Sequence, residues 1–339
     1  MANIETIAKL AGVSRGTVDR VIHNRGRVKP ETLEQVNAAM ERLNYQPSTL
    51  GRAFYMSRQN NRIGVLISLR EPDFQQQVED GVEDGRAYAL QHGMGVLTEY
   101  ASPDDEEAYL AALDRLLKEK LRGLALRGIQ SEALSARLRV LREEGVLVAA
   151  YNEDIQPELR DCYVGENARQ GGACGAFLLH QSCPPGGRIL VVGVDPHHYS
   201  NIERIQGFTE CLRRLSAGSP VQVVYGQGNH AAACQAVRES LEAFPDITGV
   251  FVSGAGLSGA AQAVDDLGLS GKVKMVGYDA TEPNIDYLKK GTVQFLLDQA
   301  PHAQGCRSIQ LLTDAIFRGR GLETDYCDTG IQIRTPYNC

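Results

Sequence analysis

A chain of 339 residues is longer than a single hydrophobic core fills, so two or three domains are expected. Hydrophobic residues at 43% and charged residues at 23% are ordinary globular usage and exclude a disordered or collagen-like chain. The net charge of −7 is unevenly divided: residues 1–60 carry nine Lys and Arg against five Asp and Glu, so nucleic-acid contact is expected of this basic head and not of the acidic remainder.

The first predicted element is a short helix capped by Asn3, running through Ile7, Ala8 and Leu10 and broken at Gly12. Ser14 is a natural N-cap for a second helix, in which Thr17, Val18, Val21 and Ile22 give one polar face and one apolar stripe. Two short helices joined by Ala11-Gly12-Val13 form a helix-turn-helix. Pro30 and Glu31 open a third helix with Leu33, Val36, Met40 and Leu43 on one face, ending at Asn44.

The run Ile7-Ala8-Lys9-Leu10-Ala11-Gly12-Val13-Ser14, then Thr17-Val18-Asp19-Arg20-Val21, then Asn44-Tyr45-Gln46-Pro47, resembles the DNA-binding head of lactose-repressor-family regulators over nearly all of residues 3–54. The resemblance implies that the second helix enters the major groove, with Arg15, Gly16 and Arg20 facing base edges and Ser14 and Thr17 holding phosphates. The chemistry agrees, because arginine fits guanine O6/N7 bidentately and hydroxyls at a helix N-terminus suit phosphate oxygens. Asp19 departs from the family's small hydroxyl residue; accepting from cytosine N4, orienting Arg15 or Arg20, and lying on a solvated face all stay open. Arg25, Arg27 and Lys29 are placed to reach the DNA backbone, Arg27 also a base edge, unless they form only a solvated loop. By the same resemblance residues 48–54 form a hinge helix in the minor groove, with Arg52 and Phe54 as contacts and Phe54 as an apolar wedge where leucine is usual. A plain linker is the other reading of that segment.

From Arg62 onward short apolar runs alternate with amphipathic ones. The runs are Ile63–Ile67, Gly95–Leu97, Gly123–Leu126 and Val146–Ala150, then, after Tyr163-Val164-Gly165, Ile189–Val192, Val221–Val224, Val250–Val252 and Val273–Val276, with a further strand at Thr292–Leu297. Alternating βα units in two series, about nine strands, predict two doubly wound parallel-sheet lobes with a ligand cleft at the strands' carboxyl ends. Gly254, Gly256 and Gly259 complete a GxGxxG motif between a strand and a helix, so a dinucleotide-sensing regulator or NAD-linked enzyme is the alternative reading.

The body resembles sugar-responsive repressors and ribose-type periplasmic binding proteins, through Glu203-Arg204-Ile205-Gln206-Gly207-Phe208, Val276-Gly277-Tyr278-Asp279, and Gln299 with Pro301. That resemblance implies ligand contacts from Arg204, Asp279 and Gln299, and an aromatic at Phe74 packing on a sugar ring. Asn152 and Glu153 end the fourth strand and Arg127 the third, positions where ligand-binding groups are common. For several of these a plainer role stays open: Asp279 as a helix cap, Arg204 as an inter-lobe ion pair, Glu153 and Arg127 as surface charges. The chain lacks Trp, so ring stacking must come from Phe74 or Tyr199, and Ser253-Gly254-Ala255 replaces the family's usual Asn-Asp, which leaves the ligand class open.

No GxSxG elbow or Walker loop occurs, and His197-His198 lack a partner at metal spacing, so neither an enzyme nor a cofactor or metal is expected. No apolar stretch reaches the roughly 18 residues of a membrane span and no signal peptide opens the chain, so no membrane partner and a cytoplasmic location are expected. The eight cysteines, in no CxxC spacing, read as reduced thiols mostly in cores. The expected plan is a small all-α helix-turn-helix head (1–46), a hinge (47–60) and an α/β body (61–339). Within the body, an N-lobe of about 61–161 and 293–322 faces a C-lobe of about 162–292 and 323–339. The expected function is a homodimeric or higher-order transcriptional regulator, a repressor, whose affinity for a near-palindromic double-stranded operator responds to a small sugar or polyol.

Overall fold

The computed structural model describes residues 3–22, 28–43, 49–69, 72–216 and 218–339. The chain divides into two compact units, residues 1–61 with 89–95, and residues 62–88 with 96–339.

The first unit holds α1 (Ile4–Ala11), α2 (Arg15–Ile22), α3 (Pro30–Arg42) and α4 (Thr49–Arg58). Asn3 Oδ1 accepts the Thr6 N–H at 2.9 Å, and Gly12, with φ of 66°, takes the left-handed turn that ends α1. Ser14 Oγ accepts the Thr17 N–H at 3.1 Å, so the hydroxyl caps α2. Ile7, Ala8, Val18, Ile22, Val36 and Ala39 form the buried core, with Val13, Met40 and Leu43 against it. The inward stripe of α3 therefore starts at Val36; Leu33, predicted as core, lies one turn earlier and is 41% exposed. Asn44 to Pro47 lie outside the described residues.

The first lobe of the body runs β1 (Arg62–Ser68), α5 (Pro72–Gln91), β2 (Gly95–Ala101), α6 (Glu106–Leu117), β3 (Gly123–Arg127), α7 (Glu132–Glu143), β4 (Leu147–Tyr151) and β5 (Cys162–Gly165). The second runs α8 (Ala168–Ser182), β6 (Arg188–Gly193), α9 (Tyr199–Leu215), β7 (Val221–Tyr225), α10 (His230–Ala243), β8 (Ile247–Val252), α11 (Leu257–Asp266), β9 (Lys274–Tyr278), α12 (Glu282–Lys290) and β10 (Phe295–Asp298). The chain ends with α13 (Pro301–Arg318), β11 (Tyr326–Asp328) and β12 (Gln332–Arg334). Two six-stranded sheets result, ordered β2-β1-β3-β4-β5-β11 and β7-β6-β8-β9-β10-β12, with β12 antiparallel to β10. Runs such as Gly123–Arg127 are buried along their whole length because helices cover both faces of a parallel sheet.

The lobe boundaries differ from those expected. Residues 162–165 and 326–328, assigned above to the second lobe, belong to the first sheet: Val164 pairs with Tyr151 and with Cys327. Residues 295–298, assigned to the first lobe, belong to the second sheet, Leu297 pairing with Tyr278. Each strand completes the sheet it started from, and the chain changes lobes only beyond the strand's carboxyl end, at Glu166, at Gln299-Ala300 and at Thr329-Gly330. Ala300 and Gly330 turn there with φ of 54° and 72°. The helix α13 returns to the first sheet, where Leu312 and Ile316 pack under Gly123. The two C-terminal strands escaped prediction because three residues each, largely polar, carry no periodicity. Of the eight free cysteines Cys162 is fully buried, Cys174, Cys183, Cys211 and Cys234 are half-buried against the cores of the second lobe, Cys306 and Cys327 are half-buried, and Cys339 is exposed.

Candidate functional site

The carboxyl ends of both sheets face each other across a cavity of about 80 Å3. Its walls include all seven side chains singled out in the body: Phe74, Arg127, Asn152 and Glu153 from the first lobe, Arg204 and Asp279 from the second, and Gln299 at a crossing between them. Asn152 and Asp279 follow β4 and β9 with φ of 61° and 71°. Asn and Asp tolerate that left-handed turn, which ends the strand while leaving the side chain at the cleft. Tyr199, the other stacking candidate, is 56% exposed and lines an adjoining, wider groove with His197, which shares Arg127 and Glu153 with the cavity.

Gln299 ties the lobes together. Its Oε1 accepts from Asn152 Nδ2 at 3.1 Å and from Arg204 Nη2 at 3.1 Å, and its Nε2 donates to Asp279 Oδ1 at 2.7 Å. Arg204, on α9, donates through Nε to Glu166 Oε1 at 2.5 Å and through Nη1 to the Ser253 carbonyl at 2.9 Å, with its guanidinium 3.8 Å over the Tyr278 ring. The ion-pair role left open for Arg204 is therefore real, and it coexists with a place in the cavity wall. Gly172 and Gly207 let α8 and α9 pack backbone to backbone, since a Cβ at either would run into the carbonyl of Arg204 or Arg169. That approach fixes where Arg204 stands.

Electrostatics follow from burial. Burial pushes the Glu166 carboxyl up, with Arg204 opposing. Burial alone would lower Arg204, but Glu166, with Tyr278 and Asp279, holds it above the ordinary guanidinium range. Asp279 is pushed up to about 6 by burial, against the pull of Arg204 and the Gln299 hydrogen bond. Asp279 does not cap α12: the Glu282 N–H donates instead to Asp73 Oδ2, from the first lobe, at 3.0 Å. Likewise Glu153 accepts the Ser200 N–H at 3.1 Å and the Ser200 hydroxyl at 2.6 Å, capping α9 from the opposite lobe. Two helices of the second lobe thus take their N-terminal carboxylates from the first, where the helix dipole favours negative charge. Gln130 Nε2 adds a bond to the His197 carbonyl at 2.7 Å. These bonds hold the cleft closed.

In the head, Ser14, Arg15, Gly16 and Arg20 are exposed and Thr17 half-buried at the start of α2. Ser14 Oγ and Thr17 Oγ1 stand 2.9 Å apart, and Arg15 Nη1 pairs with Glu5 at 2.7 Å. Arg52 is half-buried on α4, and burial lowers its pKa. Phe54 is 67% exposed, with the Arg58 guanidinium 5.9 Å from its ring centre. Arg27 lies outside the described residues, as does Arg25.

Two known families match the chain. Residues 63–320 match the periplasmic binding protein domain, and residues 3–48 match the lacI family of bacterial regulatory proteins. The chain belongs to the periplasmic-binding-protein family through its body and carries a lacI-family head. It is a DNA-binding transcription regulator and not an enzyme. The HTH-type transcriptional regulator CelR of Thermobifida fusca is 28% identical, over 81% of each chain. The HTH-type transcriptional repressor PurR of Photorhabdus laumondii is 27% identical, over 82% of this chain and 81% of that one. Among solved structures, a putative LacI transcriptional regulator from Bacteroides fragilis covers 82% of this chain and 98% of its own at a TM-score of 0.72 and 17% identity. A solute-binding protein from Agrobacterium vitis, bound with α-D-tagatopyranose, covers 82% and 96% at a TM-score of 0.74 and 21% identity.

In this lacI-family regulator the glycine motif has a packing explanation. Gly259 lets α11 close onto the His230 backbone of α10, and Gly256, with φ of 100°, turns the chain into α11. No helix among the described residues is long and apolar enough to cross a membrane. Sequence reasoning missed Glu166, which sits in no motif, and Ser68 and Ser200, whose places in the cavity wall depend on strand and helix ends meeting across lobes.

Proposed function

We propose that this regulator is a repressor whose operator affinity is set by a small polyhydroxylated ligand, a sugar or polyol, held between the two lobes of its body. The observation that carries this reading is the convergence of Asn152, Glu153, Arg204, Asp279 and Gln299, from both lobes, on one cavity walled also by Phe74. Carboxylate, amide and guanidinium groups around an aromatic face suit a ring bearing hydroxyls. A water needs roughly 10–15 Å3 by the same measure, so the closed cavity of about 80 Å3 has room for only about five to eight waters, which is small for a dinucleotide. The sugar bound by the Agrobacterium vitis neighbour supports the same ligand class. Thermal-shift measurement over sugars, polyols and nucleotides tests the reading, because a ligand that binds only the folded state raises Tm. Stabilisation by a dinucleotide alone would overturn it.

On the DNA side, Arg15 and Arg20 read base edges, Ser14 and Thr17 hold phosphates beside the close approach at Gly16, and two copies of the chain meet a near-palindromic operator. Arg27 and Arg52 add backbone contacts. Arg15→Ala and Arg20→Ala are each expected to weaken operator binding by about 1–3 kcal/mol while affecting random DNA less. Equal losses on both DNAs, in a titration at fixed salt, would remove the base-reading role. The exposed Phe54 ring acts as a wedge in a minor-groove step. Phe54→Ala is expected to reduce operator bending as measured by fluorescence transfer between DNA ends; unchanged bending and affinity would leave α4 a linker.

A further inference from the structure

Each of the four charged side chains in the cavity wall has a hydrogen-bond partner within the protein. Arg204 is paired with Glu166, Asp279 accepts from Gln299, and both Glu153 oxygens are taken up by Ser200 at the start of α9. Arg127 differs. It ends β3, is only 7% exposed, and donates through Nε to Asn152 Oδ1 at 3.1 Å. Among the described residues its two amino groups meet no carboxylate. A buried guanidinium without a counter-charge is expensive, so such a group is rarely left that way without a use. A second polar group of the same wall is short of partners: the Ser68 hydroxyl, buried at the end of β1, meets no hydrogen-bond partner among the described residues. The strands β1 and β3 are paired neighbours, Leu66 opposite Leu126, so their carboxyl ends reach the same cavity wall, with Ser68 one residue beyond the register position of Arg127.

The geometry points to an acidic effector: a polyhydroxylated molecule with one anionic group, received by the Arg127 amino groups and the Ser68 hydroxyl. This inference rests on the ligand-cleft reading above and narrows it. A carboxylate or a phosphate oxygen pair matches the guanidinium fork and takes a third hydrogen bond from a hydroxyl. The hydroxyl-bearing part of the molecule then faces Asp279 and Gln299 of the opposite wall, away from Arg127. Sugar acids and sugar phosphates share this chemistry, and a neutral sugar of the same skeleton lacks it.

The test is binding of matched sets to the full chain: aldoses and alditols, the corresponding aldonates and uronates, and the corresponding sugar phosphates, by thermal shift and calorimetry. An acid or phosphate member is expected to bind roughly 10- to 100-fold more tightly than its neutral parent. Whichever anion binds identifies the source of the charge. Arg127→Gln is expected to remove that preference, and Ser68→Ala to reduce it, with circular dichroism verifying that each variant folds. A neutral sugar binding as tightly as its acid, or an acid preference that survives Arg127→Gln, would overturn the acidic effector and leave the sugar-cleft reading standing. Stabilisation by nothing in the three sets would overturn both.

Discussion

Arg204→Met is expected to destabilise the body by about 3–5 kcal/mol, read as a lower urea midpoint with an unchanged slope in far-ultraviolet circular dichroism. The side chain is 6% exposed and serves Glu166, the Ser253 carbonyl and Gln299 at once. Removing it strands the Glu166 carboxylate, which is 3% exposed and has no other cation paired with it among the described residues. The cost is that of an uncompensated buried charge more than the worth of the pair, and a companion experiment separates the two. If the charge is responsible, Arg204→Met combined with Glu166→Met recovers much of the loss, because a well-packed apolar pair can replace a buried ion pair at little cost. Single variants that each cost less than about 1 kcal/mol would mean that water reaches the pair and that its burial does not set its worth.

How far the sequence carried the structure depended on whether a signal was local. The helices of the head announce themselves through Asn3, Gly12 and Ser14, each of which acts on its own neighbours, and the structure uses Asn3 and Ser14 as caps. The apolar runs of the body likewise fix the parallel sheets, since four or five buried residues in succession have few other uses. What was not legible is where the chain changes lobes. The crossings at Glu166, Gln299 and Thr329 are set by which sheet each short strand pairs into, over separations as long as that between Val164 and Cys327, and pairing leaves no local periodicity. Hence three short strands were placed in the wrong lobe, while the residues just beyond the ends of β3, β4 and β9 were recognised as cavity groups: a polar side chain ending a buried run has to face the cleft whichever lobe owns the strand. The cross-lobe caps were invisible for the same reason. Glu153 and Asp73 satisfy helices that begin 47 and 209 residues away.

Asp279→Asn is expected to weaken the effector by roughly 10- to 100-fold and so abolish the operator's response at ligand concentrations that saturate the wild type, because hydrogen bonds to an ionised carboxylate are worth about 1.5–3 kcal/mol. Asparagine is the replacement of choice: Asp279 has φ of 71°, which Asn adopts readily and Ala does not, so the backbone turn after β9 is retained. The same group gives the response a pH dependence whose sign is fixed. Burial raises the Asp279 carboxyl to about 6, so below that pH the unliganded protein holds it protonated, and a ligand that needs the carboxylate must first displace the proton. Effector affinity should therefore rise with pH up to about 6 and level off above it, by no more than about tenfold per pH unit on the rising limb. In Asp279→Asn this limb should be absent. The lobes carry the consequence to the DNA, since a ligand favours closure only by the difference in its affinity for closed and open forms. Losing a hydrogen bond that the closed cleft alone can complete removes that difference as well as affinity. The experiment is operator binding with and without the ligand found by screening, at pH 5, 6 and 7, for wild type and variant. A variant that responds like the wild type, or that keeps the pH limb, would show that Asp279 does not hold the ligand and that the switch lies elsewhere in the cleft.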